Sequence, residues 1–245
     1  MKIFVDGPCI DQYIKKIANY LNLKIVLHEP DKNHLLYNEK GLSYVSSSSK
    51  NKSTLHINFL KGSLGWRIKR PEHESSLKKA IGKHSDQLTI FDATAGQLND
   101  SMILLSLGHK VVAVEQSKIL YLLVSDAIKR AGDELPILDN LKFINGNSIE
   151  IFKKDNNHFD LIYLDPMYPI VKKNVKRSGN IDCIKEILSY ENLMYDGDNL
   201  IADFMNLSYK KIILKRPLKS KNNYSNINYQ IKGKAIRYDI FYDRA

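Results

Sequence analysis

The chain is poor in cysteine, with two thiols among 245 residues. Cys9 and Cys183 form no metal-binding or redox spacing, so a zinc ribbon and a disulfide framework are excluded. Reduced thiols in a cytoplasmic protein are the expectation. His28, His34 and His56 also lack ligand spacing, and no metal is expected. Long apolar runs are missing. None approaches the roughly 20 residues that span a bilayer, and Ile3-Phe4-Val5 is too short for the core of a signal peptide. No membrane partner is expected. The G-x-G-x-x-G of dinucleotide-binding turns is absent as well. Acids are in the minority, 27 against 37 Lys+Arg, a formal charge of +10. That excess favours a polyanion, nucleic acid before membrane. Hydrophobic residues make up 43%, core enough for one large domain or a domain with a small appendage.

What is present centres on Phe159-Asp160-Leu161-Ile162-Tyr163-Leu164-Asp165-Pro166-Met167-Tyr168-Pro169. The apolar run has no helical period and reads as a strand buried on both faces. Two prolines then forbid continuation as helix or sheet. A carboxylate and an aromatic ring are thus presented at the carboxyl end of a core strand, where open α/β sheets bind ligands. The pattern resembles the Asp/Asn-Pro-x-aromatic signature of methyltransferases that modify exocyclic or amide nitrogens. A conjugated amine is a poor nucleophile because its lone pair is delocalised. The resemblance implies that Asp165 and the Pro166 carbonyl, by accepting its N–H groups, would localise that pair, while Tyr168 would stack on the base. A plain proline turn capped by an Asp is the alternative reading.

Around this strand the chain alternates. Residues 1–60 read as a small α/β subdomain: a strand at Ile3–Val5, a helix from Asp11 to Leu23, a strand at Lys24–Leu27, a hairpin over Leu35–Val45 and a strand at Leu55–Leu60. Residues 61–83 form a basic connector with Trp66 and a helix from Ser75; Arg67, Lys69 and Arg70 are candidate RNA contacts. Residues 84–245 form the main domain. Leu88–Asp92 is a buried strand followed by the small turn Ala93-Thr94-Ala95-Gly96, which lets a ligand approach the backbone. A helix from Asn99-Asp100 leads to strand Val111–Glu115. Glu115 sits about 20 residues past the glycine, where an acid binds ribose hydroxyls. After the helix Leu120–Ala131, strand Leu141–Ile144 ends in Asn145-Gly146-Asn147-Ser148, suited either to an adenine edge or to capping the helix at Ile149–Lys153. Lys172, Lys173, Lys176 and Arg177 follow the motif and are further RNA candidates. Helices are expected over Asp182–Met194 and Asn199–Leu207. Strand Lys210–Pro217 leaves through Lys215-Arg216, again a candidate RNA contact, and a hairpin over 227–242 closes the chain. This order predicts the seven-stranded class I methyltransferase layout, a Rossmann-like sheet with a C-terminal antiparallel hairpin.

Four segments carry a closer resemblance: Phe91-Asp92-Ala93-Thr94-Ala95-Gly96, Tyr163-Leu164-Asp165-Pro166-Met167-Tyr168-Pro169, Leu214-Lys215-Arg216-Pro217 and Gly233-Lys234-Ala235-Ile236-Arg237-Tyr238-Asp239. From about Ile57 to Tyr242 the chain resembles the ribosomal RNA small subunit methyltransferase J family. The resemblance implies S-adenosylmethionine as cofactor and 16S rRNA, in the small ribosomal subunit or its assembly intermediate, as partner. It implies methylation of a guanine N2, guanosine 1516 in the family. By motif position it places cofactor contacts on Asp92, Gly96, Asn99, Asp100, Glu115, Gln116, Asn147, Ser148 and Asp165. The chain departs from the family pattern in several places. Gly96-Gln97-Leu98-Asn99-Asp100 stands for the usual Gly-Leu-Gly-Arg-Asp, Gln116 for an Arg and Asn147-Ser148 for two serines. Arg70–Glu74 replaces a Gly-rich, Arg-containing segment. Rival readings are methyl transfer to another amine or amide nitrogen, on DNA or on a protein glutamine, and a weakened RNA-binding relative.

Overall fold

A computed structural model describes residues 1–7, 10–47, 52–155, 158–166, 179–193, 197–221 and 224–243. In chain order the elements are β1 (Ile3–Val5), α1 (Gln12–Leu21), β2 (Ile25–Val26), β3 (His34–Asn38), β4 (Gly41–Ser46) and β5 (Ser53–Leu55). Then come α2 (Gly62–Ile68), α3 (Ser75–Ile81), β6 (Thr89–Asp92), α4 (Asn99–Ser106), β7 (Lys110–Glu115) and α5 (Lys118–Ala131). The chain continues with β8 (Leu141–Asn145), α6 (Ser148–Lys154), β9 (Leu161–Leu164), α7 (Gly179–Tyr190), α8 (Gly197–Met205), β10 (Lys211–Pro217), β11 (Tyr229–Lys232) and β12 (Ile236–Tyr242). Contacts gather these into two units, one of residues 1–60, 117–135 and 172–194, the other of 61–116, 136–171 and 195–245. Among the described residues no helix is long and apolar enough to cross a membrane.

The first unit holds a five-stranded sheet in the order β2-β1-β3-β4-β5. Asp11 starts α1 by accepting the Ile14 N–H at 2.8 Å, satisfying an orphan donor of the first turn. Ile14, Ile17 and Ala18 then form the buried stripe. At the β3–β4 turn Gly41 adopts φ +99, and a Cβ there would stand 2.4 Å from the Asp126 carboxylate. Only glycine lets α5 come so close. Asp126 in turn accepts the Leu42 N–H at 3.0 Å and the Arg130 Nε at 2.8 Å. The strand expected at Leu55–Leu60 lies earlier, at Ser53–Leu55. The Asn58 side chain accepts the Leu60 N–H at 2.9 Å and turns the chain.

The second unit holds seven strands in the order β11-β12-β10-β9-β6-β7-β8. β10, β9, β6, β7 and β8 run parallel, and β12 pairs antiparallel with β10 and β11. This is the sheet and closing hairpin that the alternation predicted. Ile90-Phe91, Val111–Val114, Leu161–Leu164 and Ile212–Leu214 are buried throughout, as strands covered on both faces must be. Phe91, Phe159, Phe204, Leu164 and Phe241 belong to one core cluster. Burial of such side chains contributes about 1.5–3 kcal/mol each. The strand order reverses beside β6, which has β7 on one side and β9 on the other. That is the switch point at which the carboxyl ends of the strands open a crevice.

Candidate active site

Three strand ends meet at the switch point. Asp92 closes β6 and is buried. Its carboxylate accepts the Ser101 hydroxyl at 2.5 Å and the Thr94 N–H at 3.0 Å. Burial pushes Asp92 up to about 7 against these two bonds, with Asp100 and Asp165 adding to the rise. The turn that follows carries Gly96 at φ +52 and Leu98 at φ +61. Leu98 is fully buried and stands where the family pattern has glycine. A left-handed non-glycine residue costs roughly 1–2 kcal/mol, here offset by the core contacts of its side chain.

Glu115 ends β7 and is 3% exposed. Its Oε2 accepts the Gly96 N–H at 2.9 Å, so the acid orients the glycine turn. On the next strand end, Asn145 donates to the carbonyls of Glu115 at 2.8 Å and Gln116 at 3.2 Å. Asn147 caps α6 by accepting the Glu150 N–H at 3.1 Å, and Ser148 is the first residue of that helix. Of the two readings left open for this turn, the cap is therefore realised.

Asp165 follows β9 directly. Its N–H donates to Thr94 Oγ1 at 2.7 Å, tying the motif to the β6 turn. Pro166 is buried, and a Cβ on Gly197 at the start of α8 would lie 2.9 Å from the proline Cβ. Sequence reasoning missed the next feature. Lys215 on β10 donates to Asp100 Oδ2 at 2.6 Å and to Asp165 Oδ2 at 2.8 Å. The parallel register explains it, because Leu214 pairs with Leu164 and the following residues are Lys215 and Asp165. Asp100, in the first turn of α4, also accepts the hydroxyl of the buried Tyr163 at 2.8 Å. Desolvation raises Asp165 to about 6; the Lys215 ammonium pulls against that rise and Asp100 adds to it. Burial acts to lower Lys215, but the two carboxylates outweigh it and hold the lysine above its ordinary range.

The expected RNA residues separate. Lys69 and Arg70 are exposed, and the Arg70 guanidinium lies 5.0 Å from the centre of the Trp66 ring. Trp66, 49% exposed, stacks on His73 at 5.3 Å. Arg67 is paired with Glu74 at 2.6 and 3.0 Å. Lys215 is engaged as described rather than presented to solvent. Arg216 is buried, with its guanidinium 5.5 Å from the Tyr224 ring centre. Tyr168, Lys172, Lys173, Lys176 and Arg177 lie outside the described residues.

The donor set suits S-adenosylmethionine. Asp92, Asp100, Glu115 and Asp165 surround a small-residue turn with carboxylates, matching a ligand that offers two ribose hydroxyls, an ammonium and a sulfonium. The sheet order and this acidic edge define a class I S-adenosylmethionine-dependent methyltransferase. Residues 16–243 match the family described as "Putative SAM-dependent methyltransferase". A ribosomal RNA small subunit methyltransferase J of Desulfotalea psychrophila is 31% identical over 237 residues, 93% of this chain and 90% of that protein. One of Francisella tularensis subsp. novicida is 31% identical over 201 residues, 78% of this chain and 81% of that one. The crystal structure of a SAM-dependent methyltransferase from Neisseria gonorrhoeae superposes with a TM-score of 0.74 at 25% identity, covering 100% of this chain and 97% of that one. The chain belongs to the ribosomal RNA small subunit methyltransferase J family. S-adenosylmethionine is the cofactor of this fold and family.

Proposed function

We propose that the chain methylates the exocyclic N2 of a guanosine in 16S rRNA, at the family's guanosine 1516. The observation that carries this reading is Asp165-Pro166 at the carboxyl end of β9, bonded to the Thr94 turn and joined through Lys215 to Asp100. The cofactor supplies a methyl group already activated on a sulfonium. Glu115 accepts ribose hydroxyls, and Asp92 and Gly96 shape the turn beneath. Asn99, Asp100 and Gln116 flank it, and Asn147 and Ser148 border the adenine side. Asp165 and the Pro166 carbonyl accept the two N–H bonds of the target amine and aim its lone pair, so that catalysis is chiefly alignment. Tyr168 is assigned to stacking on the base. Lys69 and Arg70 with Trp66, together with Lys172, Lys173, Lys176 and Arg177, are assigned to the RNA backbone. Mapping methylated guanosines in 16S rRNA from cells with and without this protein tests the reading; an unchanged map overturns it.

Two expected outcomes bear on these roles. Glu115→Ala weakens cofactor binding about tenfold or more, since a hydrogen bond to a charged group contributes roughly 1.5–3 kcal/mol. Calorimetry with S-adenosylhomocysteine measures it, and unchanged affinity in a folded variant removes Glu115 from the ribose site.

The second concerns pH. Asp165 offers the amine a negative charge only as a carboxylate, and its pKa is raised to about 6. The rate therefore falls as pH drops through that value, giving kcat/KM an acid limb, which reports the free enzyme. Lys215→Met removes the ammonium that opposes the rise. The limb then moves to higher pH. A limb that stays in place detaches it from Asp165.

A further inference from the structure

His109 precedes β7 and Glu115 ends it, so the six residues of that strand hold them roughly 20 Å apart. At the His109 end lies a pocket of about 660 Å³, within the range of small-ligand sites. Its apolar lining comes from Ile81, Leu107 and Ile231, and Lys78, Lys79 and Lys83 also line it. All three lysines are exposed. His84 and His109 complete the wall with rings crossing edge to face, their centres 4.8 Å apart.

His109 is the unusual member. It is 2% exposed, and its Nδ1 has no hydrogen-bond partner among the described residues. A buried polar atom left alone costs about 1–3 kcal/mol and asks for a reason. Burial, with His84 as the lesser cause, holds His109 down at about 4, so its ring is neutral and offers one donor and one acceptor. His84 Nδ1 lies 2.9 Å from the Asp86 carbonyl, so that nitrogen is the donor. An apolar floor, two imidazole rings and three lysines suit a flat heteroaromatic ring joined to a phosphate.

We propose that this pocket binds a nucleoside monophosphate unit, away from the methyl-transfer edge. The base lies against Ile81, Leu107 and Ile231 with its polar edge towards the histidines. The phosphate meets Lys79 and Lys83. That the unit belongs to the RNA substrate, rather than being a free nucleotide, rests on the function proposed above; the site itself does not.

Cytidine 5′-monophosphate is titrated calorimetrically into the full chain, with the cofactor site saturated by S-adenosylhomocysteine. Binding is expected, weakened about tenfold or more in Lys79→Gln/Lys83→Gln and in His109→Phe. The lysine changes are on the surface, so they test the site even if His109→Phe fails to fold. A 5′-phosphorylated pentacytidylate forms the second arm. Affinity equal to or above that of the mononucleotide assigns the site to RNA; binding of the mononucleotide alone assigns it to a free nucleotide. No binding by the wild type, or binding indifferent to the lysine pair, overturns the proposal. Methylation of 16S rRNA by the same preparation is scored separately, so failure of the function leaves the titration interpretable.

Discussion

Asp165→Ala is expected to lose most methyl transfer, about a hundredfold or more in single-turnover rate. One preorganised electrostatic contact in an active site is typically of that size. The geometry gives the reason. Asp165 is held on one side by Thr94 Oγ1 and on the other by Lys215, and its carboxylate stands at the open end of β9. Asp165→Asn keeps an acceptor oxygen but not the negative charge that favours positive charge developing on nitrogen. It should retain a small fraction of the rate. RNA affinity should survive both changes, because phosphate contacts position the RNA without it. Rates are measured alongside cofactor and RNA binding for the three proteins. Near wild-type turnover by Asp165→Ala would reduce Asp165-Pro166 to a structural turn.

Arg237→Met is expected to cost stability on an equally large scale. Asp239 is 0% exposed and takes Arg237 Nε at 2.9 Å and Gln230 Nε2 at 2.7 Å. Arg237 also reaches the Leu218 and Ser220 carbonyls at 3.0 and 2.7 Å, fastening the loop after β10 to β12. Removing the arginine strands a buried carboxylate, and breaking such a pair typically costs about 3–5 kcal/mol. Arg237→Met/Asp239→Leu should recover most of the loss, since an apolar pair can replace a buried ionic one nearly neutrally. Urea unfolding of the three proteins reads this directly. A loss under about 1 kcal/mol for the single variant contradicts the account.

That second pair marks a limit of the sequence. Arg237 and Asp239 sit in one of the four segments that carry the family resemblance, yet their contacts build the sheet rather than the crevice. A motif names residues that matter without saying whether to chemistry or to folding. The alternation of apolar strands and amphipathic helices was legible because each element announces itself within a dozen residues. So were Glu115 and Asp165, which stand where strands end. The bridge from Lys215 to Asp165 was not, since it depends on the register of β10 against β9, a pairing between residues 50 apart in the chain. Arg216 and Arg67 read as free cations because a letter R does not reveal whether its partner is a phosphate, an aromatic ring or a glutamate.

One ammonium shared by two carboxylates has a thermodynamic consequence. Asp100 belongs to the helix beside the glycine turn, and Asp165 to the end of the motif strand. A ligand charge that relieves one carboxylate of Lys215 changes what the other experiences, so the two subsites need not touch to influence each other. If the cofactor sits by Asp100 and the nucleobase by Asp165, as proposed, equilibrium imposes symmetry: by whatever factor the cofactor alters the affinity for the nucleobase, the nucleobase alters the affinity for the cofactor. On those proposed roles, Lys215 would couple the two ligands without any contact between them.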